Sequence, residues 1–135
     1  MRIKLLRVRE ASGETVTKAE DVTKFMAEEG KADRECMWVL HLNAQNQIIE
    51  KELATMGLLD CVLAEPREIF KKAIINSAQS IITVHNHPSG NKEPSADDKN
   101  VWLNLTKAGE ILSIPVLDNM IITPKGESYS EQRGY

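Results

Sequence analysis

Cysteine is scarce, with only Cys36 and Cys61 in 135 residues. Two thiols cannot build a disulfide framework or a four-cysteine zinc site. Positive charge is not in excess either: 17 Lys and Arg stand against 20 Asp and Glu, for a net charge of -3. A dedicated DNA-binding domain is expected to be strongly basic, so that class is disfavoured, although a local basic patch fits the count. No apolar run approaches the roughly eighteen residues of a membrane span, and Met1-Arg2 opens no signal-peptide core. There is no internal repeat and no linker. These absences point to a soluble cytoplasmic chain with no membrane partner. What remains is a globular composition, 41% hydrophobic and 27% charged with both signs mixed, which argues against disorder. A chain of this size reads as one domain over 1–135, able to bury about two thirds of the surface its unfolded form exposes. Histidine is also rare, at three. Two of the three, His85 and His87, lie two residues apart.

Local patterns divide the chain into short elements. Residues 2–9 read as a strand closed by a turn at Ser12-Gly13. Thr17 reads as the N-cap of a helix with Glu20 and Asp21 in its first turn, an apolar stripe of Val22, Phe25 and Met26, and a stop at Gly30. Residues 35–42 are apolar on both sides, as expected of a central strand, and Asn43–Asn46 turns into a hairpin partner over 47–55. A short strand is expected at 59–63. Pro66 opens a helix whose inward stripe is Ile69, Phe70, Ala73, Ile74 and Ala78. Residues 80–84 form a buried strand leading into His85, and 88–94 form a loop with proline and glycine at its corners. Ser95 caps a helix carrying Val101, Trp102, Leu105, Ala108 and Leu112, and Pro115 ends it. A strand over 116–123 and a short edge strand at 128–130 complete the chain. The order βαβββαβαβ predicts a layered α/β or α+β fold with a mixed sheet. An exposed sheet edge within 116–130 is the first choice for pairing in a homo-oligomer.

The residues with the clearest chemistry are His85, His87 and Asp98. Side chains at i and i+2 of an extended segment project to the same side, so both imidazoles aim at one point while Asn86 turns away. Asp98 lies in the first turn of the next helix, three and four residues before Val101 and Trp102, and so faces the strand. Two nitrogens and one carboxylate form a three-ligand set suited to zinc, with a fourth position open to water. Taken singly, each residue has an ordinary explanation: a surface histidine, or an acid at a helix N-terminus. Together they favour a catalytic metal.

The motif extends beyond those three. His85-Asn-His-Pro-Ser-Gly90, Pro94-Ser95 and Asp98 place seven residues between His87 and Ser95 and two between Ser95 and Asp98. This spacing resembles the JAMM, or MPN-type, metalloprotease pattern. The stretch starting at Pro66-Arg-Glu-Ile-Phe and the later Ile114-Pro-Val-Leu-Asp118 make it more similar still to the bacterial RadC branch, long named as DNA repair proteins. The resemblance covers most of the chain, most strongly 34–123. RadC proteins also carry an N-terminal helix-hairpin-helix domain, for which this sequence has no counterpart, and Asn119 stands where that branch commonly has histidine.

The resemblance implies a cytidine-deaminase-like JAB/MPN fold, a mixed sheet flanked by helices. It also implies one zinc ion and hydrolysis of a peptide or isopeptide bond in a peptide or protein substrate. His85, His87 and Asp98 match the ligands, Glu35 the glutamate that holds the metal-bound water, and Ser95 the serine beside it. Glu50 and Glu52 compete with Glu35 at the level of sequence, and Ser95 reads equally well as a helix cap paired with Asp98. Ser89-Gly90 reads as a turn. His41 decorates a strand face, and Cys36, Cys61, Trp38 and Trp102 belong to the core. An HNH nuclease is rejected, because its letters mark separated positions and not a tripeptide. A zinc deaminase is rejected for want of His-x-Glu and Pro-Cys-x-x-Cys. The remaining rival is a DNA repair or recombination accessory, or a scaffold, with an idle metal site. The family's name supports binding of nucleic acid and the acidic charge opposes it.

Overall fold

The computed structural model describes residues 13–56 and 64–135. The strand expected at 2–9 with Ser12 of its turn, the strand at 59–63 and Cys61 lie outside them. In chain order the elements are helix α1 (Ala19–Phe25), a 3-10 turn (Glu29–Lys31), strands β1 (Cys36–Leu42) and β2 (Ile48–Met56), helix α2 (Pro66–Ile75), strand β3 (Ser80–Asn86), helix α3 (Ala96–Leu112), and strands β4 (Val116–Ile122) and β5 (Ser128–Ser130). The sheet runs β2-β1-β3-β4-β5. β1 pairs antiparallel with both β2 and β3, β3 and β4 are parallel across α3, and β4 and β5 form an antiparallel hairpin. This is the expected mixed α/β sheet. Among the described strands, β5 is the edge within 116–130, since β4 lies between β3 and β5.

Every residue of β1 and β3 is buried, because helices cover both faces of the sheet. Cys36, Trp38, Leu40 and Leu42 alternate onto one face, where Val22 and Met26 of α1 meet Ile82, Val84, Met120 and Ile122. Met37 and Val39 point to the other face and pack with Ile69, Phe70 and Ala73 of α2 and Leu105 of α3. The double-sided apolar reading of 35–42 follows from this sandwiching.

Several local readings need correction. The N-cap of α1 is Lys18 and makes no side-chain cap bond. Thr17 lies one residue earlier and donates to Asp21 through both its amide and its hydroxyl. Gly30 does not stop that helix, which ends at Phe25. It sits in the 3-10 turn because an added Cβ would come within 2.9 Å of the Thr123 carbonyl oxygen. Ile74 and Leu112 are exposed. α2 ends at Ile75, and Ser77 then turns left-handed (φ 53°) and carries Ala78 back into the core. On α3 it is Gly109 that completes the buried stripe with Trp102 and Leu105. Among the described residues no helix is long and apolar enough to cross a membrane.

Candidate metal centre

β3 delivers both histidines. His85 is on the α3 side of the sheet and His87 follows just beyond the strand, its amide still bonded to the Ile122 carbonyl at 3.0 Å. Their Nε2 atoms approach to 3.0 Å. Asp98 completes the group, with Oδ1 3.5 Å from His85 Nε2 and Oδ2 3.5 Å from His87 Nε2. Among the described residues these three form the one cluster of His, Cys, Asp or Glu able to hold a metal ion.

The placement of Asp98 follows from a local helix signal. Ser95 is the N-cap of α3, its hydroxyl accepting from the Asp98 amide at 3.0 Å while Asp98 Oδ2 accepts from the Ser95 amide at 2.9 Å. This reciprocal capping box fixes the carboxylate at the helix start and turns its other oxygen toward His85. His87 is oriented from behind. Its Nδ1 faces the Asn91 carbonyl at 2.7 Å, a position in which a ring nitrogen can only donate, so the neutral ring keeps its lone pair at Nε2. Among the described residues His85 Nδ1 is buried without a hydrogen-bond partner, as is Trp102 Nε1, and the two ring centroids are 6.0 Å apart.

The electrostatics match a cation site. Burial works against ionisation of Asp98, but bonds from His85, His87 and the Ser95 amide outweigh it and hold the carboxyl well below the usual carboxylate range. When His87 takes a second proton at Nε2, the hydrogen bond it can then give Asp98 pushes the imidazole up against the opposing effect of burial, and the Asn91 carbonyl and the Glu35 charge add to the rise. The donor set also fits zinc by size. Tetrahedral zinc with arms of about 2.0–2.1 Å needs ligand atoms about 3.3 Å apart; the two Nε2 atoms are 3.0 Å apart, and one ligand atom from each of the three residues lies within 4.8 Å of the others.

Around these three side chains opens a cleft of about 410 Å³ that Glu35, Ser95 and Trp102 also line. The fold therefore brings Glu35 to the same cleft as His85, His87, Ser95 and Asp98. Its competitors Glu50 and Glu52 do not reach it, being bonded around His41 and Asn76 at the other end of β1. His41 is no strand decoration. It is fully buried, with Nε2 3.0 Å from Glu52 and Nδ1 2.9 Å from the Asn76 amide. Cys36 points into the opposite core, away from Glu35. Trp102 is a core residue that also forms a wall of the cleft and stacks on Tyr129. Sequence reasoning missed Asn91, whose contribution is a backbone carbonyl, and gave Asn86 no task beyond pointing away.

Mixed sheet, capping helix and inward-facing two-histidine, one-aspartate group together define a class: layered α/β domains of the JAB type with a candidate metal centre at the end of a central strand. The chain belongs to the RadC-like JAB domain family, whose model matches residues 16–135. It is 47% identical over 109 residues to a UPF0758 protein of Pelodictyon phaeoclathratiforme, covering 80% of this chain and 49% of that protein. A UPF0758 protein of Chlorobium chlorochromatii is 46% identical over 120 residues (86% and 53%), and one of Caldanaerobacter subterraneus 43% over 122 residues (90% and 52%). The chain spans about half the length of these relatives.

Proposed function

We propose that the domain is a zinc-dependent metallohydrolase that cleaves a peptide or isopeptide bond in a peptide or protein substrate. The observation that carries this reading is the convergence of His85 Nε2, His87 Nε2 and the Asp98 carboxylate in a cleft that Glu35 shares. His85, His87 and Asp98 would hold the zinc, which would supply Lewis acidity for polarising a carbonyl and acidifying water. Glu35 contributes the base: its carboxylate takes a proton from the attacking water and returns it to the leaving amine. Ser95 supports the developing oxyanion. Its oxygen is already engaged as acceptor for the Asp98 amide, which leaves the hydroxyl hydrogen free to donate into the cleft.

The cleft's charge favours a peptide over a nucleic acid in this site. Among the described residues Glu35, Glu93, Asp97 and Asp98 line it and no lysine or arginine does, which is the wrong sign for phosphate. A DNA-associated accessory role would therefore have to use another surface. The test compares wild type with Glu35→Gln, by metal analysis and by a proteomic screen for cleaved substrates. The variant should keep its zinc and lose hydrolysis by about 10²–10⁴-fold, the usual contribution of a general base. A wild-type chain with no affinity for zinc overturns the hydrolase reading, and DNA binding that survives zinc removal supports the accessory one.

A further inference from the structure

The middle residue of His85-Asn86-His87 has a side chain that is fully buried on the face of the sheet opposite the two imidazoles. Its amide uses every group it has. Oδ1 accepts from the Cys36 amide at 2.7 Å, and Nδ2 donates to the carbonyls of Arg34 at 3.0 Å and Ala32 at 3.3 Å. All three partners lie at least fifty residues away, in the segment that enters β1. Glu35 sits between two of them. The pairing of β1 with β3 runs to Met37 opposite His85, and beyond that pair the Asn86 side chain holds the incoming chain. The residues on either side of Glu35 are thus tied to the residue between the two candidate ligands.

No other short side chain does this. Aspartate has no hydrogen for the two carbonyls, and serine or threonine cannot span an amide and two carbonyls at once.

We infer that Asn86 is the positioning residue for Glu35: through the Arg34 carbonyl and the Cys36 amide it fixes where the Glu35 carboxylate stands relative to the metal ligands. The inference rests on the metallohydrolase reading. Asn86 touches neither substrate nor metal and acts only through Glu35. Its loss should therefore change what Glu35 does while leaving intact what His85, His87 and Asp98 hold.

The test is a double-mutant cycle on the cobalt(II)-loaded chain, read by metal affinity and by the visible absorption of the cobalt. Glu35→Gln should alter the spectrum, Asn86→Ala should alter it in the same direction with cobalt stoichiometry and affinity unchanged, and the double variant should match Glu35→Gln alone. Should Asn86→Ala fail to fold, Asn86→Thr, a strand-compatible residue that cannot make the three bonds, takes its place. An Asn86 variant with the wild-type spectrum, or an effect that adds fully to that of Glu35→Gln, overturns this inference while leaving the metal centre standing. A wild-type chain that takes up no cobalt overturns the hydrolase reading and this inference with it.

Discussion

Asp98 shows how a single residue can serve fold and chemistry together. Its carboxylate closes the capping box of α3 and faces two imidazoles. Asp98→Asn separates the two roles, because the amide keeps an oxygen for the Ser95 N–H and loses the charge. We expect a folded protein with an intact helix start, and zinc affinity reduced by more than the roughly 10–100-fold typical of a residue that only supports a ligand; competition with a chromophoric chelator measures this. His41 presents a different balance. Burial pushes its imidazole below its ordinary value of 6.5, against the pull of Glu52 and Glu50 on β2, while Lys72 of α2 works in the same direction as burial. Native His41 therefore stays neutral where the unfolded chain binds a proton. It contributes stability fully above pH 6.5, and that contribution is lost as pH falls below 6.5 toward the lowered native value, with a slope of at most about 1.4 kcal/mol per pH unit. Urea titrations between pH 7 and 5 should show wild type losing more stability than His41→Gln as pH falls, a difference that cancels the opposite contribution of the raised His87. A His41→Gln protein with the same slope would assign it to other groups.

At the scale of elements, legibility depended on how local the cause was. The period of two in His85-Asn86-His87 and the first-turn position of Asp98 are local, and the three side chains do converge as those patterns predict. The unbroken apolar run of β1 is a local trace of burial on both faces. Glu35 could not be separated from Glu50 and Glu52 by pattern, because the choice depends on which end of β1 abuts the histidines. The burial of His41 depends on Asn76 and Glu52, thirty-five and eleven residues away, and the work of Asn86 on partners fifty residues off. The stripe of α2 was read past the helix's end because the left-handed turn at Ser77, a non-glycine residue, leaves no strong signal. Glycines conceal contacts in the same way. Within α3, Gly109 should be a weak point that alanine repairs by roughly 1 kcal/mol. A Cβ there, however, would stand 2.6 Å from the Ile114 carbonyl oxygen and 3.3 Å from the Phe70 ring. The first is backbone just past the helix and cannot swing aside. Overpacking of this kind costs about 1–3 kcal/mol, so the clash wins, and Gly109→Ala should lower the urea midpoint instead of raising it.

Across the whole molecule, one buried carboxylate joins the ends of the described chain to the sheet. Asp118, in β4, accepts from the amides of Asn119, Glu131 and Gln132 at 2.8, 3.0 and 3.1 Å, from the Tyr135 hydroxyl at 2.8 Å, and from the Ser130 hydroxyl. The tail thus folded back reaches the start of the described chain: the Tyr135 amide bonds the Thr17 carbonyl, and the Ala19 amide the Arg133 carbonyl, each at 2.9 Å. Burial and the Asp118 charge both push the Tyr135 hydroxyl up, which keeps it a donor. Tyr135 also packs against the core cluster that α1 covers, so the clamp holds the α1 layer on its side of the sheet. Asp118→Ala leaves these donors without their acceptor, and a single buried unsatisfied group costs about 1–3 kcal/mol. Water can reach the exposed tail residues and recover part of the loss, which leaves about 3 kcal/mol as the expected destabilisation. The candidate metal ligands His85, His87 and Asp98 stand on the opposite face, on β3 and α3, and none of them bonds to the clamp. Asp118→Ala should therefore unfold at lower urea, exchange the amide hydrogens of α1 faster, and still bind zinc one to one while folded. Loss of zinc binding together with stability would show instead that the two faces of the sheet are mechanically one unit.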